Sequence, residues 1–196
     1  MIAVVDYDTG NLRSVDNAFR RIGVEAVFTD DHAVIRSADR VLLPGVGEAS
    51  SAMAKLRERG LDRLIPSLKQ PVLGICIGMQ LMCLTSEEGA AECMGIFDTD
   101  VVRFSADKSG GVKVPHMGWN TVSELSGPLF DGIAPETFFY FVHSFAPRIC
   151  RHTVAQTWNG VTFSAALQNG NFFGTQFHPE KSGEAGRRLL ENFMKL

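Results

Sequence analysis

The chain has 196 residues, 45% of them apolar and 21% charged, which suits about one domain with a single sizeable core. Nineteen Lys and Arg against 22 Asp and Glu leave a net charge of -3, without the basic excess of nucleic-acid or membrane-surface proteins. Cys76, Cys83, Cys93 and Cys150 are too few and too scattered for a disulfide framework, and no CxxC pair points to zinc.

Ile2 to Val5 reads as a buried strand; the opening MIAVVDYD has no basic leader and meets Asp6, so no signal peptide is expected. Leu12, Val15, Phe19 and Ile22 then recur at helical spacing as far as Gly23. Val24 to Phe28 forms the next strand and Val41 to Leu43 another, closed by Pro44-Gly45; Met53 and Leu56 mark a helix ending near Gly60. Val72 to Ile75 is a fourth strand that runs into an apolar helical segment, Met79 to Leu84. The whole run from Pro71 to Leu84 is interrupted by Gly74, Gly78 and Gln80 and is too short to cross a bilayer. This alternation predicts a parallel sheet with helices on both faces.

Beyond Ser105 to Gly111, which reads as a surface loop, the pattern changes. Thr137 to Phe145 is a long aromatic strand. Val154 to Trp158 and Val161 to Leu167 flank the hairpin dipeptide Asn159-Gly160, and Asn169-Gly170 leads into Asn171 to Phe177 in the same way. A final helix turns Leu189, Leu190, Phe193 and Met194 toward the core. The prediction is one α/β domain over residues 1–196, a mixed sheet with a parallel core and an antiparallel portion.

Gly74-Ile75-Cys76-Ile77-Gly78 sits between a strand and a helical segment and has the form of a nucleophile elbow with cysteine at its apex. Flanking glycines relieve a crowded turn, the following helix dipole favours a thiolate, and the Ile77 amide is placed to hold an oxyanion. The competing reading is a buried structural cysteine between packing glycines. His178-Pro179-Glu180 follows a strand; residues i and i+2 of an extended segment point the same way, so Glu180 can orient the imidazole. Alone the tripeptide is more commonly a surface turn, but with a cysteine elbow upstream a Cys-His-Glu triad is the better reading.

Pro44-Gly45-Val46-Gly47 has too few glycines and the wrong strand for a dinucleotide loop, and offers instead a second oxyanion donor. No P-loop occurs. Cys83, Cys93 and Cys150 have no adjacent histidine, and His32 and His152 lie in polar surroundings. Trp119, in a loop-like Pro/Gly-containing stretch, is either core or an interface anchor.

GICIGMQ at 74–80, PGVG at 44–47 and HPE at 178–180 together resemble the class I (triad) glutamine amidotransferases, of flavodoxin-like fold. PHMGWN at 115–120, DYDTGNLRSV at 6–15 and FYFVHSF at 139–145 narrow the resemblance to the glutaminase subunits of imidazole glycerol phosphate synthases, in histidine biosynthesis. The resemblance implies that Cys76 attacks the carboxamide of glutamine, His178 moves the proton and Glu180 orients it. Gly45, Val46 and Ile77 would hold the oxyanion, and Gln80, Glu88, Ser144 and Phe145 the amino-acid end of the substrate. It further implies no cofactor or metal, a cytoplasmic location, and a (β/α)8-barrel cyclase partner that consumes the ammonia. Asn11, Trp119, Tyr140 and Lys181 would face that partner. Asp8 stands where the family often has glycine, and Ile77 where leucine is usual. The rival readings are a glutaminase subunit for anthranilate, aminodeoxychorismate or pyridoxal phosphate synthesis, a non-catalytic binding module of this fold, and a stand-alone cysteine peptidase.

Overall fold

The computed structural model describes residues 1–8, 12–105 and 112–196. The expected surface loop at 105–111 and Asn11 lie, apart from Ser105, outside the described residues. Strand β1 (Ile2–Val5) leads through helix α1 (Leu12–Arg21) to β2 (Ala26–Thr29), α2 (His32–Ser37), β3 (Arg40–Leu43), α3 (Ala49–Glu58), α4 (Leu61–Leu64) and β4 (Val72–Ile75). β1 and β4 are buried throughout, as continuous apolar runs in a sheet covered on both sides should be. β1 pairs in parallel with β2 and β3, and β3 with β4. The chain therefore reverses direction across the sheet after β2, and right-handed crossovers put α1 on one face and α2 and α3 on the other.

The expected helix after β4 is a single turn, α5 (Ile77–Gln80). Beyond it the Leu84 amide is taken by the Thr99 carbonyl, so strand pairing ends the helical path. Three short strands follow, β5 (Thr85–Ser86), β6 (Ala91–Glu92) and β7 (Asp100–Arg103). The aromatic strand expected from Thr137 to Phe145 is two strands. β8 (His116–Val122) pairs antiparallel with β9 (Thr137–His143) as a separate ribbon, while β10 (Phe145–Pro147) crosses to β7 in the small four-stranded sheet. Ser144 is the point where the chain changes sheet.

The antiparallel portion is as the hairpin dipeptides predict. β11 (Thr153–Trp158) pairs with β12 (Thr162–Asn169), and β12 with β13 (Phe172–Thr175), which rejoins β4 in parallel. The main sheet thus has seven strands in the order β11-β12-β13-β4-β3-β1-β2. Helix α6 (Gly183–Phe193) buries Leu189, Leu190 and Phe193, with Met194 just past its end packed against the same core. The carboxyl ends of β3, β4 and β13 lie side by side, the usual place for a site in an open α/β sheet.

Candidate active site

Cys76 leaves β4 with φ 52° and ψ -109°, backbone that costs an L-residue energy and persists only where its surroundings impose it. Those surroundings are visible. A Cβ on Gly78 would lie 1.9 Å from the Leu43 carbonyl oxygen, and one on Gly74 2.4 Å from Met82 Cε and 2.7 Å from the Gly78 carbonyl. The turn is clamped by hydrogen bonds from the Cys76 amide to Thr175 O (2.7 Å) and from the Gln80 amide to Cys76 O (3.1 Å). The elbow read from the glycines is therefore present. With one turn of helix behind it, however, the expected dipole is small; the charge facing the thiol comes from a histidine.

His178 follows β13, its amide bonded to Tyr140 O at 2.9 Å. Its Nδ1 lies 2.8 Å from Glu180 Oε1, and both side chains are buried, at 3% and 2% exposure. The pair is not the product of a pleated strand: Pro179–Lys181 is a 3-10 turn that folds the carboxylate back under the ring. Ser182 Oγ locks the turn, donating to His178 O (2.6 Å) and accepting from the Tyr140 amide (3.0 Å). Burial alone pushes the His178 pKa down; its interactions with Cys76 and Glu180 outweigh burial and raise it from 6.5 to about 10. The ring stands between the Cys76 sulfur and the Glu180 carboxylate, and both favour its protonated form. Its Nε2 is buried without a hydrogen-bond partner.

Around Cys76 and His178 opens a cavity of about 350 Å³, lined by Gly45, Val46, Ile77, Gln80, Glu88, Ser144, Phe145 and Lys181 among others. Every expected oxyanion and substrate residue thus reaches one space. As the first residue of α5, Ile77 has no intrahelical acceptor for its amide. Gly45 runs so close to the elbow that a Cβ there would sit 2.8 Å from Ile77 Cβ. Glu88 is less free than expected: Oε2 accepts from the Ala49 amide at 3.0 Å and so caps α3, where Glu48 makes no capping bond. Burial raises its pKa, opposed by that amide.

Three residues expected at a partner interface form one surface cluster. Trp119 meets Tyr140 edge to face, ring centroids 6.1 Å apart, and Lys181 Nζ stands 5.9 Å above the Tyr140 ring. The same ribbon face exposes Met117 (62%), Trp119 (56%) and Phe138 (57%), while Phe139 and Phe141 on the opposite face are fully buried.

Several residues of the site were not foreseen. Pro115, Val142 and His143 line the cavity, and Gln176 Nε2 points at Cys76 Sγ from 3.6 Å. Gln176 stands two residues before His178, a spacing that could have found it. Among the described residues no cluster of three or more His, Cys, Asp or Glu is arranged to hold a metal.

A cysteine on a strained elbow, a charged histidine and a buried carboxylate define a cysteine-dependent acyl-transfer site. Residues 3–196 match the family Glutamine amidotransferase class-I, and the chain belongs to it. A glutamine amidotransferase structure from Thermotoga maritima superposes with a TM-score of 0.67, at 18% identity over 99% of this chain and 82% of that one. Within the family the chain is similar to imidazole glycerol phosphate synthase subunit HisH of Bacteroides fragilis, 56% identical over 195 residues, 100% of this chain and 99% of the relative. The subunit of the same name from Vibrio cholerae is 45% identical over 202 residues, covering 100% and 98%.

Proposed function

We propose that this chain, as a single amidotransferase domain over residues 1–196, is the glutaminase subunit of an imidazole glycerol phosphate synthase. The observation that carries the chemistry is Cys76 on its elbow, facing a cavity with His178 and its buried carboxylate partner. The Cys76 thiolate attacks the carboxamide carbon of glutamine. Charge develops on the carbonyl oxygen, where the Ile77 amide and the Gly45-Val46 backbone receive it. His178 passes its proton to the amide nitrogen, the C–N bond breaks, and ammonia leaves behind a glutamyl thioester. Neutral His178 then takes a proton from water, whose oxygen attacks the thioester; glutamate departs and the thiolate–imidazolium pair is restored. Glu180 fixes the ring so that Nε2 faces the reaction. Gln80, Glu88, Ser144 and Phe145 hold the amino-acid end of the substrate.

Ammonia released in a site with no acceptor chemistry of its own needs a consumer. We assign that role to a (β/α)8-barrel cyclase subunit, which would use it with a phosphoribulosyl nucleotide to make imidazole glycerol phosphate and an aminoimidazole carboxamide ribotide. Trp119, Tyr140 and Lys181 form the docking face, which the exposed apolar ribbon supports; Asn11, outside the described residues, keeps the partner-facing role that the resemblance implies. Neither a nucleic acid nor a membrane is a partner; among the described residues no helix is long and apolar enough to cross a membrane. Four free thiols suit the cytoplasm. The test is glutamate release from glutamine by the chain alone and with the cyclase and its nucleotide. A low rate that rises by orders of magnitude in the complex is expected; no release in either case, with Cys76 inert to alkylation, would favour a binding module.

A further inference from the structure

The buried end of the β8–β9 ribbon holds two histidines that the reaction above does not use. His116 and His143 are register partners, and His116 Nδ1 lies 3.0 Å from His143 Nε2. His143 Nδ1 lies 2.8 Å from the Phe145 carbonyl oxygen. A carbonyl only accepts, so His143 carries its proton on Nδ1 and presents Nε2 as an acceptor. His116 must then donate from Nδ1 and accept at Nε2, where Asn120 Nδ2 lies 3.1 Å away. The Asn120 amide is itself fixed, because Nδ2 also donates to Trp158 O (2.9 Å) and Oδ1 accepts from the Thr121 amide (2.8 Å).

The chain continues at the other end. Phe145 O accepts a second hydrogen bond from Gln80 Nε2 at 2.9 Å, and Gln80 Nε2 gives its other hydrogen to Gln176 Oε1 at 2.9 Å. Gln176 Nε2 points at Cys76 Sγ. Every donor and acceptor from Asn120 to Cys76 therefore has one assignment. It leaves one atom over: Gln80 Oε1, on a side chain 1% exposed, is buried without a partner in a residue that lines the cavity. An unpaired acceptor in such a place is costly unless a ligand supplies the donor.

We propose that His116 and His143 are positioning residues, a one-way hydrogen-bond relay that fixes the Phe145 carbonyl and thereby turns Gln80 Oε1 toward the ammonium group of bound glutamine. The inference rests on the glutaminase reading and deepens it. Both rings work as neutral imidazoles, since a second proton on either would set two donors face to face. Their surroundings agree: Phe104, Phe141 and Phe163 pack on the pair, and the proton on His178 disfavours another on His143. Burial lowers His116 to about 4 and His143 to about 3. Because the relay starts at Asn120, beside Trp119 on the exposed ribbon, a shift of that ribbon is felt at the glutamine subsite.

Two readouts decide it. In the intact wild-type chain with ¹⁵N-labelled histidine, both rings should be neutral Nδ1–H tautomers at pH 7; an Nε2–H tautomer or a charged ring at either position overturns the relay whatever the protein's substrate. In the synthase complex, His116→Phe keeps the ring stacked on Phe141 but deletes the donor. Loss of one orienting hydrogen bond should raise KM for glutamine about five- to tenfold with kcat changed less, and His116→Asn, which restores a donor at the Nδ1 position, should recover most of it. A purely structural role would lower Tm while leaving KM unchanged, and that result would overturn the proposal. A wild-type complex that releases no glutamate would instead remove the glutaminase reading, with the tautomers still deciding the relay.

Discussion

Two buried histidine groupings reach the cavity, through His178 and His143, and their titration is displaced in opposite directions. His178, at the end of the parallel sheet, is raised to about 10, whereas His116 and His143, at the end of the antiparallel ribbon, are lowered to about 4 and about 3. All three side chains are buried, so burial is not what separates them. His178 has the buried carboxylate of Glu180 at 2.8 Å; His143 has a carbonyl oxygen and another neutral ring. The first arrangement favours a protonated ring beside the Cys76 sulfur, the second a fixed set of dipoles beside the cavity. The Cys76 sulfur and a carboxylate placed by a 3-10 turn together separate the two groupings.

The largest effect should come from the chemical side. Cys76→Ser should lower glutamine-dependent synthesis by several orders of magnitude while synthesis from ammonium salts persists; parallel assays of the complex check both, and equal loss would assign Cys76 to folding. His178→Ala should cost at least about 10²-fold in glutamate release, and near-wild-type turnover would remove it from the mechanism. On the ribbon, Trp119→Ala touches the outer face rather than the histidine face. It should weaken cyclase binding by about 2 kcal/mol in a titration of the two subunits, without altering the histidine tautomers. Glu180→Gln makes the environment of His178 resemble that of His143. Glutamate release should fall by about tenfold, and NMR titration should find the His178 pKa moved downward.

Stability should follow pH differently for the two groupings. His178 has a folded pKa above its unfolded one, so its contribution is complete below about pH 6.5 and is lost as pH rises toward 10. His116 and His143 have folded values below their unfolded ones, so their contribution is present above about pH 6.5 and lost as pH falls toward 4 and 3. Urea midpoints across both ranges check this. Glu180→Gln should flatten the alkaline limb and leave the acid limb in place.

Features set by short-range sterics were legible in the sequence. The glycines around Cys76 announce a turn that Leu43 O and Met82 leave no room to build otherwise, and Asn159-Gly160 and Asn169-Gly170 announce the two hairpins. Features set by long-range pairing were not. Thr137 to Phe145 reads as one long aromatic strand, yet it divides at Ser144 because His143 pairs with His116 while Phe145 pairs with Arg103. Likewise the helix after Cys76 stops after a turn because Thr99 captures the Leu84 amide. His178 and Glu180 were found together for a reason that does not hold, the pleat of a strand, where the fold uses a turn. The pairing of His116 with His143 joins residues 27 positions apart, and Gln176 offered only its spacing before His178, its contact with Cys76 spanning 100 positions.

The most direct test of the mechanism is to trap its intermediate. The complex is mixed with glutamine, quenched in acid within a turnover, digested, and each cysteine peptide is weighed. A glutamyl adduct on the Cys76 peptide, absent from Cys83, Cys93 and Cys150 and absent when Cys76 is replaced by serine, is the expected result. Glutamate formed at the normal rate with no adduct on Cys76, or an adduct on another cysteine, would contradict a Cys76 nucleophile.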